Sequence, residues 1–234
     1  MASKRSYGDG CGIARALDLV GERWGLLVVR ELVLGPKRFT GLHAGLPGVS
    51  PNVLAQRLRE LEAAGVLRRR TLGPPAGARV YELTEWGREL EPLLIGLGRW
   101  GGRSPEPTAD PYRSADSLML WLCSRFVPAP GGMPGAAAGE GLVAVFGVRS
   151  GDDRFAVRVG GGRLTVERGV PERPDATLAG DLGTLTDVLK GRRPIAEAAQ
   201  SGELAVGGDV TALRRLVDLL ITSRPATAQA AVLA

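Results

Sequence analysis

The stretch SPNVLAQRLRELEAAGVLRRR, Ser50 to Arg70, opens with a helix cap and closes on three consecutive arginines. Ser50 supplies a side-chain acceptor at the N-cap position, and Pro51 has the fixed φ that suits a first helical residue. Gly65 ends the helix after Ala64. On a wheel of about 100° per residue, Leu58 and Leu61 fall within about 40° of Leu54 and form a buried stripe with it. Asn52, Gln56 and Arg59 lie roughly 140–200° away, on the opposite face, with Arg57 at the border. Side-chain amides and guanidinium groups read base edges through paired hydrogen bonds, Asn or Gln to adenine and Arg to guanine. The N–H groups behind Ser50 suit a phosphate.

The flanks fit this reading. Thr40 to Leu46 is a short helix ended by Pro47-Gly48, so a helix, a tight turn and the Ser50 helix make a helix-turn-helix. Val66 to Leu72 and Arg79 to Leu83 are short strands joined by the loop GPPAGA, a wing whose arginines, Arg68, Arg69, Arg70 and Arg79, can reach flanking phosphates or the minor groove. Upstream, Ile13 to Val20 has helical apolar spacing, and Trp24 to Leu34 is apolar on most sides until Gly35-Pro36 stops it. From Thr84 the pattern predicts one long amphipathic helix towards Trp100, with Trp86, Leu90, Leu93, Leu94 and Leu97 on its apolar side and a kink at Pro92.

Charge is placed unevenly. Residues 1–101 hold 15 Lys/Arg against 10 Asp/Glu, a net of +5, whereas residues 102–234 hold 15 of each. Residues 37–79 sharpen this to 8 basic against 2 acidic. A basic patch confined to one domain points to a polyanion, nucleic acid first and an anionic membrane second, and a helix-turn-helix beside it makes double-stranded DNA the expected partner. No apolar run reaches the roughly 18–20 residues that span a bilayer, and no signal peptide is evident, so membrane insertion is not expected. Cys11 and Cys123 lie in different halves and form no disulfide framework, which fits a reducing cytoplasm. His43 is the only histidine. No catalytic triad, cysteine–histidine pair or metal-ligand cluster can be built around it, so the reading is a non-enzyme without cofactor or metal.

The segment CGIARALDLVGERWGLLVVRELVLGPKRFTGLHAGLPGVSPNVLAQRLRELEAAGVLRRR, continued by ARVYELTEWGREL, resembles the HxlR-type winged helix-turn-helix transcription regulators. The resemblance implies a homodimeric DNA-binding regulator reading an inverted-repeat operator, with the Ser50 helix in the major groove. It implies Ser50, Asn52, Gln56, Arg57 and Arg59 as recognition-helix residues, and Arg38, Thr40 and Arg79 as backbone contacts. The family's dimers commonly pack the first and last helices of the domain. Some relatives use a cysteine at the place of Cys11 as a redox or electrophile sensor. Cys11 stands before a helix, where free N–H groups lower a thiol pKa, while nearby Asp9 opposes thiolate formation.

The second half begins after a Pro-rich linker, GRSPEPTADPYRSA. Ser114 or Asp116 caps a helix through Phe126. Beyond the Pro/Gly/Ala stretch Pro128–Gly141, the segments LVAVFGVR, RFAVRVG and RLTVERG alternate between turns as a meander, with Asp152-Asp153 and GGGR as hairpin turns. DATLAGD and ELAVGGD are further strands, and LGTLTDVLKG, PIAEAAQSG and VTALRRLVDLLI are helices. This predicts an α+β domain, an antiparallel sheet with one face covered by helices. PDATLAGD, SGELAVGGD and the final helix resemble the sterol-carrier-protein type of lipid-binding domain. That resemblance implies an apolar tunnel lined by Leu118, Leu122, Phe126, Phe146, Phe155, Val157, Leu185, Leu189, Leu216 and Leu220.

The expected organisation is a DNA-binding and dimerisation domain at 1–101, a linker at 102–114, a ligand-binding domain at 115–223 and a tail at 224–234. The expected function is a cytoplasmic dimeric regulator that senses an apolar small molecule. The competing reading is a carrier or sequestering protein for hydrophobic metabolites, tethered to nucleic acid by its basic domain.

Overall fold

Helix α1 (Gly12–Val20) leads into α2 (Gly25–Val33), α3 (Phe39–Gly45) and α4 (Pro51–Ala63). The hairpin β1 (Leu67–Thr71) and β2 (Arg79–Leu83) follows, then α5 (Glu85–Arg88) and α6 (Glu91–Gly101). The computed structural model describes residues 6–73, 77–104, 114–126 and 142–222. The middle of the GPPAGA loop, most of the Pro-rich linker, the Pro128–Gly141 stretch and the tail at 224–234 lie outside the described residues.

The leucine stripe of α4 packs as its spacing predicts. Leu54, Leu58 and Leu61 are buried with Val28, Val29 and Leu32 of α2, Leu42 and Leu46, and Val66, Leu67 and Leu83 at the hairpin base. Each such side chain contributes about 1.5–3 kcal/mol on burial. Glu31, fully buried on α2, is held by Lys37 at 2.7 Å and Arg30 at 2.9 Å. The sequence reading passed over this carboxylate inside an apolar helix.

The motif YELTEWG closes the domain through backbone contacts. The Thr84 hydroxyl donates to the Gly65 carbonyl at 2.7 Å and accepts from Gly87 N–H at 3.0 Å, capping α5 against the end of α4. A Cβ at Gly87 would sit 2.0 Å from the Val66 carbonyl oxygen, so no other residue fits this approach. The single helix expected from Thr84 to Trp100 is two helices, α5 and α6. Pro92 has no N–H, and its ring would collide with the Arg88 carbonyl in a continuous helix. α5 therefore stops at Arg88, and Pro92 falls in the first turn of α6.

The chain divides into two compact units, Met1–Leu94 and Ile95–Ala234. The division falls within α6 because its last turns belong with α7 (Ala115–Arg125). Arg99 donates to the carbonyls of Ser124 and Phe126 at 3.3 and 3.2 Å, and a Cβ on Gly98 would lie 3.1 Å from that of Ser124.

The second unit contains β3 (Ala144–Ser150), β4 (Asp153–Gly160), β5 (Arg163–Arg168), β6 (Ala176–Gly180), α8 (Leu182–Leu189), α9 (Ile195–Gln200), β7 (Leu204–Gly208) and α10 (Val210–Thr222). The strand order is β5-β4-β3-β6-β7. Helices α7, α8, α9 and α10 pack on the sheet, and Phe146, Val148, Phe155, Val157 and Leu178 are buried while Arg149, Arg154 and Arg158 face outward. One expectation is corrected. The sheet is mixed, because β6 pairs with β3 in parallel. β5 ends at an edge, and GVPERPD crosses back to the far side of β3, so the next strand starts from the same end as β3. At this crossing a Cβ on Gly147 would meet Pro171 at 3.5 Å and Thr177 at 3.2 Å.

Ser114, not Asp116, caps α7, accepting from Ser117 N–H at 3.0 Å. Asp116 is instead fully buried against Arg168, whose Nη2 donates to both carboxylate oxygens at 2.6 and 2.7 Å. Arg168 also pairs with Asp153 and lies over the Phe155 ring at 4.9 Å. Burial works against its charge, but the two carboxylates more than offset this and hold its pKa above the ordinary value.

Candidate nucleic-acid interface

The turn between α3 and α4 presents the N-terminus of α4. Ser50 accepts from Val53 N–H at 3.3 Å, and Pro51 stands at the first helical position. Asn52, Gln56 and Arg59 are exposed on the side opposite the leucine stripe. Gln56 donates to Glu60 at 2.9 Å, one turn on. Val53 is also exposed on this helix, which the sequence reading missed. Its signal was an apolar residue about 100° off the Leu54 position. An exposed methyl group there suits the C5-methyl of thymine.

Arg57 is placed differently from the other candidates. Its side chain is only 13% exposed and runs back to Glu60 and, at 3.7 Å, to Glu22 in the turn between α1 and α2. It therefore ties the GERW segment to α4 and does not lie on the open face.

Arg38 and Thr40 are exposed at the start of α3. His43 lies on the same helix, its ring stacked on Phe39 at 6.4 Å. In the wing, Arg69 pairs with Glu62 at 2.9 Å and lies over Tyr81, while Arg68 and Arg70 both reach Glu82. Of the eight basic residues between 37 and 79, Lys37, Arg57, Arg68, Arg69 and Arg70 thus have carboxylate partners. Three of those partners, Glu22, Glu31 and Glu82, lie outside that window, so the charge count overstated the free excess. Arg38, Arg59 and Arg79 have no side-chain partner among the described residues. They are the cations most available to a polyanion.

Cys11 is exposed at the N-cap position of α1. Its pKa is lowered, first by the nearby Ile13 N–H and then by that of Ala14 at the start of the helix. Asp9 accepts from the backbone N–H of Cys11 at 2.9 Å. Cys123 is buried.

Exposed apolar side chains stand on α1 (Ile13 and Leu17) and on α6 (Leu93, Leu97 and Trp100). α6 buries none of its 11 residues within the single chain. At the base of the wing, Gly65, Arg68, Thr84, Glu85, Trp86 and Arg88 line a concavity of about 570 Å³. Its charged lining is unlike the apolar tunnel expected in the second half. The ten tunnel candidates, Leu118, Leu122, Phe126, Phe146, Phe155, Val157, Leu185, Leu189, Leu216 and Leu220, are each no more than 3% exposed. Among the described residues no helix is long and apolar enough to cross a membrane, and no group of three or more His, Cys, Asp or Glu could hold a metal ion.

Helices α3 and α4 with the β1–β2 wing define a winged helix-turn-helix protein. Residues 19–108 match the HxlR-like helix-turn-helix family. The chain is 37% identical over 95 residues to YvaP of Bacillus subtilis, an uncharacterized HTH-type transcriptional regulator, across 40% of this chain and 87% of that protein. It is 33% identical over 106 residues to the regulator YybR of the same organism, across 45% and 84%. With the regulator sll1512 of Synechocystis the identity is 41% over 92 residues, across 39% and 67%. The chain belongs to the HxlR-like helix-turn-helix family. These relatives are regulators rather than enzymes. Residues 134–226 match a second family, alkyl sulfatase C-terminal, a description other than the sterol-carrier-protein type read from the sequence.

Proposed function

We propose that this chain is a dimeric transcription regulator that inserts α4 into the major groove of an inverted-repeat operator. The observation that carries this reading is the open face of α4, where Asn52, Val53, Gln56 and Arg59 are exposed and Arg59 has no side-chain partner among the described residues. Ser50 and Thr40 sit where phosphates flank such a helix, with Arg38 beside them. Arg79 and the Glu-paired Arg69 and Arg70 extend the contact along the backbone.

Dimerisation rests on α1 and α6. A helix that leaves Leu93, Leu97 and Trp100 exposed in its own chain is stabilised by a second copy. Sedimentation is expected to give a dimer at micromolar concentration, and Leu97→Glu should shift it towards monomer and weaken operator binding. A monomer both free and on DNA would remove the dimer from the account.

Cys11 serves as the sensing thiol in this proposal. Its lowered pKa means that the thiolate forms at lower pH than in a free cysteine. The pH profile of its alkylation should therefore be shifted down from that of free cysteine. Diamide should change operator binding, and Cys11→Ser should abolish that response while leaving basal binding in place. A response that persists in the variant returns Cys11 to a packing role.

For the second unit, we infer an apolar small molecule held between sheet and helices, as in the sterol-carrier-protein type. The ten candidate side chains are packed in this structure, so a ligand enters by displacing them. Coupling to DNA of about 1–3 kcal/mol is expected, and linkage makes it reciprocal. A long-chain fatty acid titrated with and without operator is expected to bind with affinities differing about 5–150-fold. Identical affinities would leave the unit uncoupled to DNA.

A further inference from the structure

The pairing of the hairpin sets Glu82 directly opposite Arg68. Arg68 and Arg70 share one face of β1, about 6.8 Å apart along the strand, close to the step between successive phosphates of one nucleic-acid strand. Glu82 is 5% exposed, and each of its carboxylate oxygens takes one guanidinium. Arg68 Nε donates to Oε1 at 2.8 Å, and Arg70 Nε lies 3.1 Å from Oε2. Both arginine side chains remain exposed, at 63% and 51%. In both arginines the approach to the carboxylate is through Nε, and neither has another partner among the described residues, which leaves the terminal NH2 groups to meet an anion. A guanidinium normally loses rotamer freedom when it binds an anion. Here a buried carboxylate has already fixed two of them, and two positive charges against one negative leave the set attractive to phosphate.

Resting on the DNA-binding reading above, we propose that Glu82 is a positioning residue that presets Arg68 and Arg70 as a two-pronged clamp for consecutive phosphates of one DNA strand. The sign of one substitution separates this from simple neutralisation. If Glu82 only reduced the charge of the wing, Glu82→Gln would tighten DNA binding. A positioning role requires the opposite.

The test is fluorescence anisotropy of the full chain on a random-sequence duplex across a salt series, with folding checked by circular dichroism. Glu82→Gln is expected to weaken binding by about fivefold despite its added positive charge. Arg68→Gln with Arg70→Gln should lower the salt slope by roughly 1.8, two phosphates' worth. In that double background, Glu82→Gln should have no further effect. Tighter binding by Glu82→Gln overturns the proposal, and so does an equal loss in the double background, which would mark a merely structural role. Should Glu82→Gln fail to fold, the exposed arginines carry the test. Either single substitution leaves Glu82 to neutralise the remaining arginine, so each should lose most of what the double variant loses. Additive losses contradict the clamp. Wild-type protein with no salt-sensitive DNA binding would instead remove the DNA-binding reading itself.

Discussion

Arg168→Met is expected to destabilise the second unit by roughly 3–5 kcal/mol, the cost of removing the guanidinium that meets both oxygens of a buried carboxylate. Asp116 is fully buried in the first turn of α7, and Arg168, at the end of β5, joins it to Asp153 on β4. One guanidinium therefore links a helix and two strands. Methionine keeps much of the packing over Phe155 but removes the charge, so the loss reports electrostatics more than volume. Combining Arg168→Met with Asp116→Asn should recover a large part of the stability, because the buried charge disappears with its partner. Urea denaturation of the full chain, followed by Trp121 fluorescence in a variant lacking the other tryptophans, reads this unit. A cost below about 1 kcal/mol for Arg168→Met would mean that water or other groups satisfy Asp116 just as well.

The second large effect is on recognition. Arg59→Ala should cost about 1–3 kcal/mol on the specific site and little on random DNA, because a bidentate contact to guanine is sequence-dependent whereas phosphate contacts are not. The structure sharpens this choice of residue. Arg57, its near neighbour, is held by Glu22 and Glu60, so Arg57→Ala should act through stability. Arg59 has no such partner among the described residues. Equal losses on specific and random duplexes for Arg59→Ala would assign it to the backbone instead.

These contrasts show what a sequence can carry. The helix Ser50–Ala64 was legible because its signals are local: a cap, a proline at the first helical position, leucines at helical spacing and polar residues opposite them. The wing was legible for the same reason, from two short strands around a Pro/Gly loop. The partners of its arginines were not. Glu82 pairs with Arg68 and Arg70 through strand register, and Glu22 reaches Arg57 only once α1 and α4 pack. No spacing rule reports such approaches. The break before α6 was half legible, since Pro92 signalled a disturbance without deciding between a kink and two helices. In the second unit the strands and helices were each recognisable, but a meander reading assumes that every strand pairs with its predecessor. GVPERPD carries two prolines that resist ladder pairing, and the chain uses it to cross to β3. Asp116 was mistaken for a possible cap because an acidic residue near a helix start usually is one.

In vitro selection of duplex DNA by the whole chain is the most direct trial of DNA reading by α4. The expected result is an enriched inverted repeat whose half-sites are centred about 10–10.5 base pairs apart, or a multiple of that, with enrichment lost in Arg59→Ala. Recovery of no preferred sequence, with binding that is sequence-blind and governed only by salt, would contradict the account and favour a carrier tethered to nucleic acid by its basic domain.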